Sequence, residues 1–597
     1  MILQPSASIE LKLTNKWERC GNGLFRGHFF IDGALDNMEL ITSARDIDAL
    51  LGLLRTTQGF FSSIIVHQDK LILIADHMRS YPIFYRIIEN KILVSDDPES
   101  IVDMEQDRLS IKEALEFLCI GYVTGANTLI PGLKQVEPGT CVIFRGGKAE
   151  RMAYFNHRPV IEQSIDPGSY YDAFNRALQS SFQRLRAVTR GGQIALPLSG
   201  GFDSRLIALC LKKFDFENVI AFSYGRPGNM DSEISKKVAK GLGFDWFYVP
   251  YSNEMWKKVS RSESWSEYLS YAFQLTSTPH PQDFPAIESL VNEGVIERGA
   301  TITPGHRPDG AHVPEFVPDE HGMVTKEKIA RNIMKLNYVL WRIEPGSVLE
   351  NEFLSRLYDS FGIESAVYKN VASSISENWF LKERESKFIV NSMRCYDYFG
   401  LNWWLPLLDQ EFVRFWGKTS YSCKEQECYM RSGRLFMEEN VGDHVLIDEV
   451  FRAVKGQQEK AELPDNNKIS LADFGANPSI DAIKRSPFVN ELIYELGYFR
   501  EGDYENHNRT HFGLVRKKEF MRLYTGQETK NSFIALDLVK DLIHPEMLEP
   551  SERDLLRSIP IFKSNMLKYL ERNSRAVRKH RSHPITRQTE PAQTPES

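Results

Sequence analysis

Ile194-Ala195-Leu196-Pro197-Leu198-Ser199-Gly200-Gly201-Phe202-Asp203-Ser204 runs directly into the apolar stretch Arg205 to Leu211. A short, mostly apolar run closed by glycines reads as a buried strand, and Leu206, Leu209 and Cys210 recur at helical spacing. The order is therefore strand, tight loop, helix. Gly200 and Gly201 let the backbone come close to a ligand, Ser199 and Ser204 offer hydroxyls, and the first N–H groups of a helix have no partner within it. Together these make a socket for phosphate oxygens. A Walker-type loop would also need Gly-Lys-Ser/Thr after four intervening residues, but no lysine lies between Gly192 and Lys212.

Downstream the alternation continues. Asn218 to Gly225 is a second apolar run closed by glycine, and Asp231 to Gly243 places Ile234, Val238 and Ala239 on one helical face. Phe244 to Tyr251 reads as the next strand. This β-α-β-α-β succession predicts a parallel sheet with right-handed crossovers and ligands at the carboxyl ends of its strands. Residues 1 to about 150 are of another kind: Leu24 to Ile31, Gly59 to Val66, Lys70 to Ala75, Ile83 to Ile87 and Lys91 to Val94 predict hairpins. A helix is expected over Leu109 to Tyr122. Val390 to Arg434 reads as helical, as do Ser486 to Leu496, with Pro487 suited to the first helical position, and Ala535 to Ile543.

The chain has 597 residues, beyond the roughly 250–300 at which a single core stops growing, so two or more domains are expected. Its 42% hydrophobic and 26% charged residues suit a soluble globular protein. A net charge of −7 argues against sequence-independent binding to nucleic acid. The seven cysteines are scattered without a paired framework, which suits reduced thiols in a cytoplasm. No run of 18 apolar residues occurs and the first residues lack the sections of a signal peptide, so no membrane association is expected. Arg575 to Ser597 has hardly an apolar residue and predicts a disordered tail.

Ser199-Gly200-Gly201-Phe202-Asp203-Ser204 resembles the PP-loop of the ATP pyrophosphatase superfamily. The resemblance implies ATP, split to AMP and pyrophosphate when a carboxylate or carbonyl oxygen attacks the α-phosphate. Gly59 to Tyr85, with Asp76, Arg79, Tyr81 and Pro82 in its turn, is similar to the amidotransferase domain of asparagine synthetases, as is Gly125 to Gly139. Phe451-Arg452-Ala453-Val454-Lys455-Gly456 resembles that family's Arg-x-Lys segment, and Arg394 to Phe415 matches its Pro-Phe-Leu-Asp-x-Glu stretch through Pro406, Leu408, Asp409, Glu411 and Val413. Pro304-Gly305-His306-Arg307-Pro308-Asp309-Gly310 resembles its Ser-Gly-Glu-Gly-Ser-Asp-Glu turn, with His306 and Gly310 in place of acids.

The fold implied is α/β: an Ntn-hydrolase-like αββα sandwich over 1–150, then a PP-loop parallel-sheet domain with added helices over 151–460. A mostly helical extension, 461–574, and the tail, 575–597, follow. For the nucleotide, the resemblance implies contacts from Leu198, Ser199, Gly200, Gly201, Asp203, Ser204, Pro304 and Gly305. Phe222 and Ser223 are placed near the base, with ordinary strand core as the alternative. Asp203 and Asp309 are the expected Mg²⁺ ligands, Mg²⁺ commonly taking one or two protein carboxylates. His306 is expected to take a proton from the incoming amine, the alternative being a loop histidine bonded to backbone, and Lys455 to neutralise charge on the adenylate and pyrophosphate or to remain solvated.

These features predict an AMP-forming ligase that adenylates a small-molecule carboxylate and joins it to ammonia or another amine. Class II amidotransferases use a cysteine at the second position, and here that position is Ile2, which has no nucleophile with which to begin glutamine hydrolysis. Glutaminase activity is therefore not expected. Asn402 and Trp404 replace the Glu and Arg of the family's amino-acid pocket, so the substrate need not be aspartate. The other reading is a nucleotide-binding scaffold or regulator without turnover. The oligomeric state stays open, a homodimer among the options.

Overall fold

The computed structural model describes residues 8–67, 70–89, 91–104, 106–145, 148–155, 165–225, 227–308, 316–425, 427–441, 530–539, 542–543 and 548–559. The amino-terminal part contains β1 (Ser8–Lys12), β2 (Glu18–Cys20), β3 (Gly23–Ile31), β4 (Ala34–Leu35), β5 (Gln58–His67), β6 (Lys70–Ala75), β7 (Phe84–Ile88), β8 (Lys91–Ser95), β9 (Leu133–Gln135), β10 (Thr140–Arg145) and β11 (Lys148–Ala153). They form an antiparallel sheet ordered β11-β10-β6-β5-β3-β2, with β4 paired to β3, and a second sheet ordered β1-β8-β7-β9.

Strand β6 shows why the two sheets stack. Its residues alternate faces: Leu71, Leu73 and Ala75 meet Val94 and Val136 between the sheets, while Ile72 and Ile74 face the other way into a second core. Helices α1 (Met38–Thr42) and α2 (Ile47–Thr56) cover that outer face with Met38, Ile41, Leu50, Leu51 and Leu54. Beyond the smaller sheet, α3 (Ile111–Ile120) packs Ile111, Ala114 and Leu118 in one cluster with Phe84 and Leu93. The layers thus run helix, sheet, sheet, helix.

The central part is a five-stranded parallel sheet, in the order Asp245–Pro250 (β14), Val219–Gly225 (β13), Ile194–Pro197 (β12), Thr301–Ile302 (β15) and Asn402–Trp403. Every pairing in it is parallel. Helix α4 (Tyr170–Thr189) precedes β12, α5 (Phe202–Lys213) follows it, and α6 (Met230–Leu242) joins β13 to β14. The expected strands and helices from Ile194 to Tyr251 are all present within a few residues.

The helical reading of Val390 to Arg434 is corrected in one place. Helical turns cover 390–398, 410–418 and most of 421–434, but Asn402–Trp403 is the edge strand, with Asn402 opposite Thr301 and Trp403 opposite Ile302. The cause is burial on both sides. Trp404 meets Phe60 edge-on at 4.8 Å, and Trp403 stacks on Tyr81 at 5.2 Å, so this apolar run is held between the central sheet and the amino-terminal one. A short apolar run of this kind cannot be assigned to strand or helix by periodicity. Ala535 to Val539 belong to the helix Lys530–Val539, which joins α3 and the helix Pro550–Arg557 in one apolar cluster. Ser486 to Leu496 and the tail lie outside the described residues. Among the described residues, no helix is long and apolar enough to cross a membrane.

One buried ion pair ties α4 to the helix Gln410–Lys418. Arg184 donates from Nε and Nη2 to the two oxygens of Asp409 at 2.8 and 2.6 Å, and Asp409 also accepts the Glu411 backbone N–H at 3.0 Å as the helix cap. The Asp409 side chain is fully buried, so its removal leaves the Arg184 guanidinium with only the partly exposed Glu411 carboxylate at 3.2 Å. Asp409→Ala should lower the unfolding free energy by about 3–5 kcal/mol, read by urea denaturation of the full chain, whereas Glu411→Ala, at the exposed edge of the same cluster, should cost less than about 1 kcal/mol.

Candidate active site

The loop after β12 is shaped by its own small side chains. Ser199 and Ser204 place their hydroxyl oxygens 3.0 Å apart, the Ser199 backbone N–H donates to Ser204 Oγ at 3.2 Å, and the Gly201 N–H donates to Ser199 Oγ at 3.1 Å. Gly200 donates its N–H to Asp231 Oδ1 at 3.1 Å; a Cβ at Gly200 would lie 2.6 Å from that oxygen, so a larger residue would displace the Asp231 carboxylate. Gly201 stands at the N-cap of α5, in extended conformation and with no side-chain cap. An uncapped helix start of this kind favours an anion.

A second turn closes over the first. β12 and β15 are neighbours, with Ile194 opposite Thr301, so Pro304, Gly305 and His306 emerge beside the start of α5. A Cβ at Gly305 would lie 2.7 Å from the Ser204 backbone nitrogen and 3.1 Å from its Cα. Only glycine permits this approach. Between the two turns is a cavity of about 270 Å³, lined by Ser199, Gly201, Asp203 and Ser204 on one side and by Pro304, Gly305 and His306 on another. Tyr224, His280, Asp283 and Ser392 form the remaining wall.

Most of the expected nucleotide-binding residues are thereby brought together. Leu198 takes part through its backbone: its N–H donates to the Phe222 carbonyl at 2.9 Å, and its carbonyl accepts from Ser223 Oγ at 2.5 Å. Phe222 is fully buried and the Ser223 hydroxyl is also 2.6 Å from Ser235 Oγ. Both side chains therefore belong to the strand core, and the residue of this strand that reaches the cavity is Tyr224. Asp309 and Lys455 lie outside the described residues.

Asp203 has a defined environment. One carboxylate oxygen accepts from Arg307 Nε at 3.1 Å and the other from the Tyr429 hydroxyl at 2.6 Å. The Arg307 guanidinium sits over Tyr429 and Trp416, 5.3 and 5.6 Å from their ring centres. A metal ion would have to compete with a cation and a hydrogen-bond donor already on this carboxylate. Among the described residues, no group of three or more His, Cys, Asp or Glu side chains is placed to hold a metal.

His306 faces the cavity with Nε2 3.4 Å from Ser392 Oγ. Burial pushes its imidazole pKa below the usual value, with Asp283 opposing and Arg384 reinforcing the shift. The ring is thus neutral at neutral pH and able to accept a proton. Tyr224, His280, Asp283, Arg307, Ser392, Tyr396 and Tyr429 were not legible as site residues. Tyr224 carried the one usable signal: it lies two residues beyond Phe222 on the same strand face, at the carboxyl end where ligands of parallel sheets bind.

The structure thus places a lysine-free, uncapped helix start at the carboxyl edge of a parallel α/β sheet, where ligands of such sheets commonly bind. Residues 174–259 match the family model described as Asparagine synthase. The match runs from α4 through β14 and includes the anion loop, but not the turn at Gly305. No curated protein matches the chain.

The closeness of the two turns generates a test. Gly305→Ala should push the second turn off the start of α5 and weaken binding of pyrophosphate or ATP by about tenfold or more, equivalent to about 1.4 kcal/mol. Titration calorimetry reads the affinity, and a circular dichroism melt checks folding. Equal affinity in variant and wild type would place the anion elsewhere.

Proposed function

We propose that the protein is an ATP-dependent ligase that adenylates a substrate carboxylate and then forms an amide with ammonia or another amine, releasing AMP and pyrophosphate. The observation that carries this reading is the lysine-free turn Leu198–Ser204 opening, with His306, onto one cavity at the carboxyl edge of the parallel sheet. In the first step a carboxylate oxygen attacks the α-phosphorus of ATP and pyrophosphate leaves. The uncapped start of α5 and the two serine hydroxyls hold the departing anion. In the second, the amine nitrogen attacks the acyl carbon, the carbon–oxygen bond to AMP breaks, and neutral His306 takes the proton lost by nitrogen. Lys455 is proposed to neutralise charge on the phosphates.

Mg²⁺, if it accompanies the nucleotide, would be held chiefly by phosphate oxygens, with Asp309 as the carboxylate proposed from this chain. Asp203 is assigned instead to anchoring Arg307 between Trp416 and Tyr429. The nitrogen source is proposed not to be glutamine, since Ile2 offers no nucleophile. The engagement of Asp203 is also the observation that favours a second reading, a nucleotide-binding protein without turnover.

Purified protein incubated with ATP, Mg²⁺ and a panel of carboxylates and amines should form AMP and pyrophosphate, and should release no glutamate from glutamine. ADP and orthophosphate as the products would overturn the reading. ATP binding without hydrolysis across the panel would favour the second. His306→Gln should lower kcat by about 10²-fold or more while leaving ATP affinity unchanged, as expected when a positioned proton acceptor is lost.

A further inference from the structure

Asp283 stands at the N-cap of the helix Phe284–Asn292, where an aspartate normally accepts a backbone N–H of the first turn. It makes no such bond. Its carboxylate is turned instead toward two phenols: one oxygen accepts from the Tyr224 hydroxyl, the other from Tyr396 at 2.5 Å. Asp283 and Tyr224 line the same cavity as the anion turn and His306. Among the described residues, no Lys, Arg or His lies within ion-pair distance of the Asp283 carboxylate. A helix cap has been forgone, and a negative charge stands in a cavity without a cation to balance it.

Around the Asp283 carboxylate the chemistry is that of an acceptor. Tyr224 and Tyr396 have committed their O–H groups to Asp283, so each phenol oxygen has only lone pairs left to offer. Of the two phenols Tyr224 lines the cavity and Tyr396 holds the carboxylate from behind, so the wall offers one negative charge with a neutral acceptor beside it. A primary ammonium fits it, being a compact cation with three N–H donors and no acceptor. A divalent metal fits less well: it needs more oxygen ligands, and the other carboxylate of the cavity wall, Asp203, is engaged by Arg307 and Tyr429.

We propose that Asp283, held by Tyr224 and Tyr396, is the recognition site for a primary ammonium group of the substrate, in the cavity that the anion turn also lines. This rests on the ligase reading and narrows it: one substrate carries an amino group, either on the molecule that supplies the carboxylate or as the attacking amine, in which case the ammonium first gives one proton to the Asp283 carboxylate and loses the second to His306 on attack. Asp283 thereby sets specificity by charge, selecting amines over isosteric neutral compounds.

Titration calorimetry on the full chain, with pyrophosphate present, tests this with n-butylamine, n-butanol and γ-aminobutyrate. Butylammonium or γ-aminobutyrate should bind and butanol should not. Asp283→Asn, which keeps an oxygen for the tyrosines but removes the charge, should weaken that binding about tenfold or more, and Tyr396→Phe should weaken it less. Binding of butylammonium in preference to γ-aminobutyrate would assign the site to the attacking amine, and the reverse preference to the carboxylate substrate. Failure of both amines to bind, or equal affinity in wild type and Asp283→Asn, would overturn the proposal. Pyrophosphate affinity, measured separately in each variant, reports folding and the anion turn. Its absence in wild type would count against the ligase reading itself, whereas its retention without amine binding would count against Asp283 alone.

Discussion

The site depends on a single close approach, the backbone of Gly305 against the backbone of Ser204 at the start of α5. It follows from the parallel pairing of β12 with β15, which sends two turns distant in sequence out of the same sheet edge. With any side chain at Gly305 the turns would separate and the cavity between them would lose one wall. Gly200 imposes a matching constraint on the other flank, where Asp231 on α6 holds the loop by its N–H. The first is a backbone contact and the second a bond to a carboxylate, and neither caps the helix start with a side chain.

Around this edge the packing is shared between parts of the chain that a domain division would separate. Phe60, Trp403 and Trp404 join the larger amino-terminal sheet to the central one, and His77 contacts the Leu408 carbonyl at 2.8 Å. Arg394 reaches from the cavity-bearing part to the Ser80 carbonyl at 2.6 Å. α3 likewise shares its core with Phe353, Leu357 and the helices at 530–539 and 550–557. The amino-terminal layers therefore serve as a packing partner for the central sheet.

The charges of the cavity are arranged so that each sign has a place. The start of α5 presents partial positive charge, Arg307 is balanced by Asp203, and His306 is kept neutral by burial. Asp283 alone among these groups is negative without a cation among the described residues. An adenylating ligase must bring together a polyanion and a nucleophilic nitrogen, and a cavity with anion-binding backbone at one wall and a carboxylate at another is suited to both.

The sequence by itself determined the local structure of this protein wherever one physical signal dominated. Apolar runs closed by glycine became β12 and β13, the 3.6-residue spacing of Ile234, Val238 and Ala239 became α6, and the Ser-Gly-Gly loop could be placed at an uncapped helix start, because these features are set by neighbours in the chain. Only the tertiary structure decided that Asn402–Trp403 is a strand, since its burial comes from Phe60 and Tyr81, far away in sequence. The same holds for Phe222 and Ser223, turned into the core, and for Asp203, engaged by Arg307 and Tyr429. Asp283 is the clearest case: read locally it is a helix cap, and only the arrival of Tyr224 from the sheet and Tyr396 from another helix turns its carboxylate into the cavity wall. Functional geometry of this kind arises from contacts between segments that share no local pattern, and no spacing within either segment encodes it.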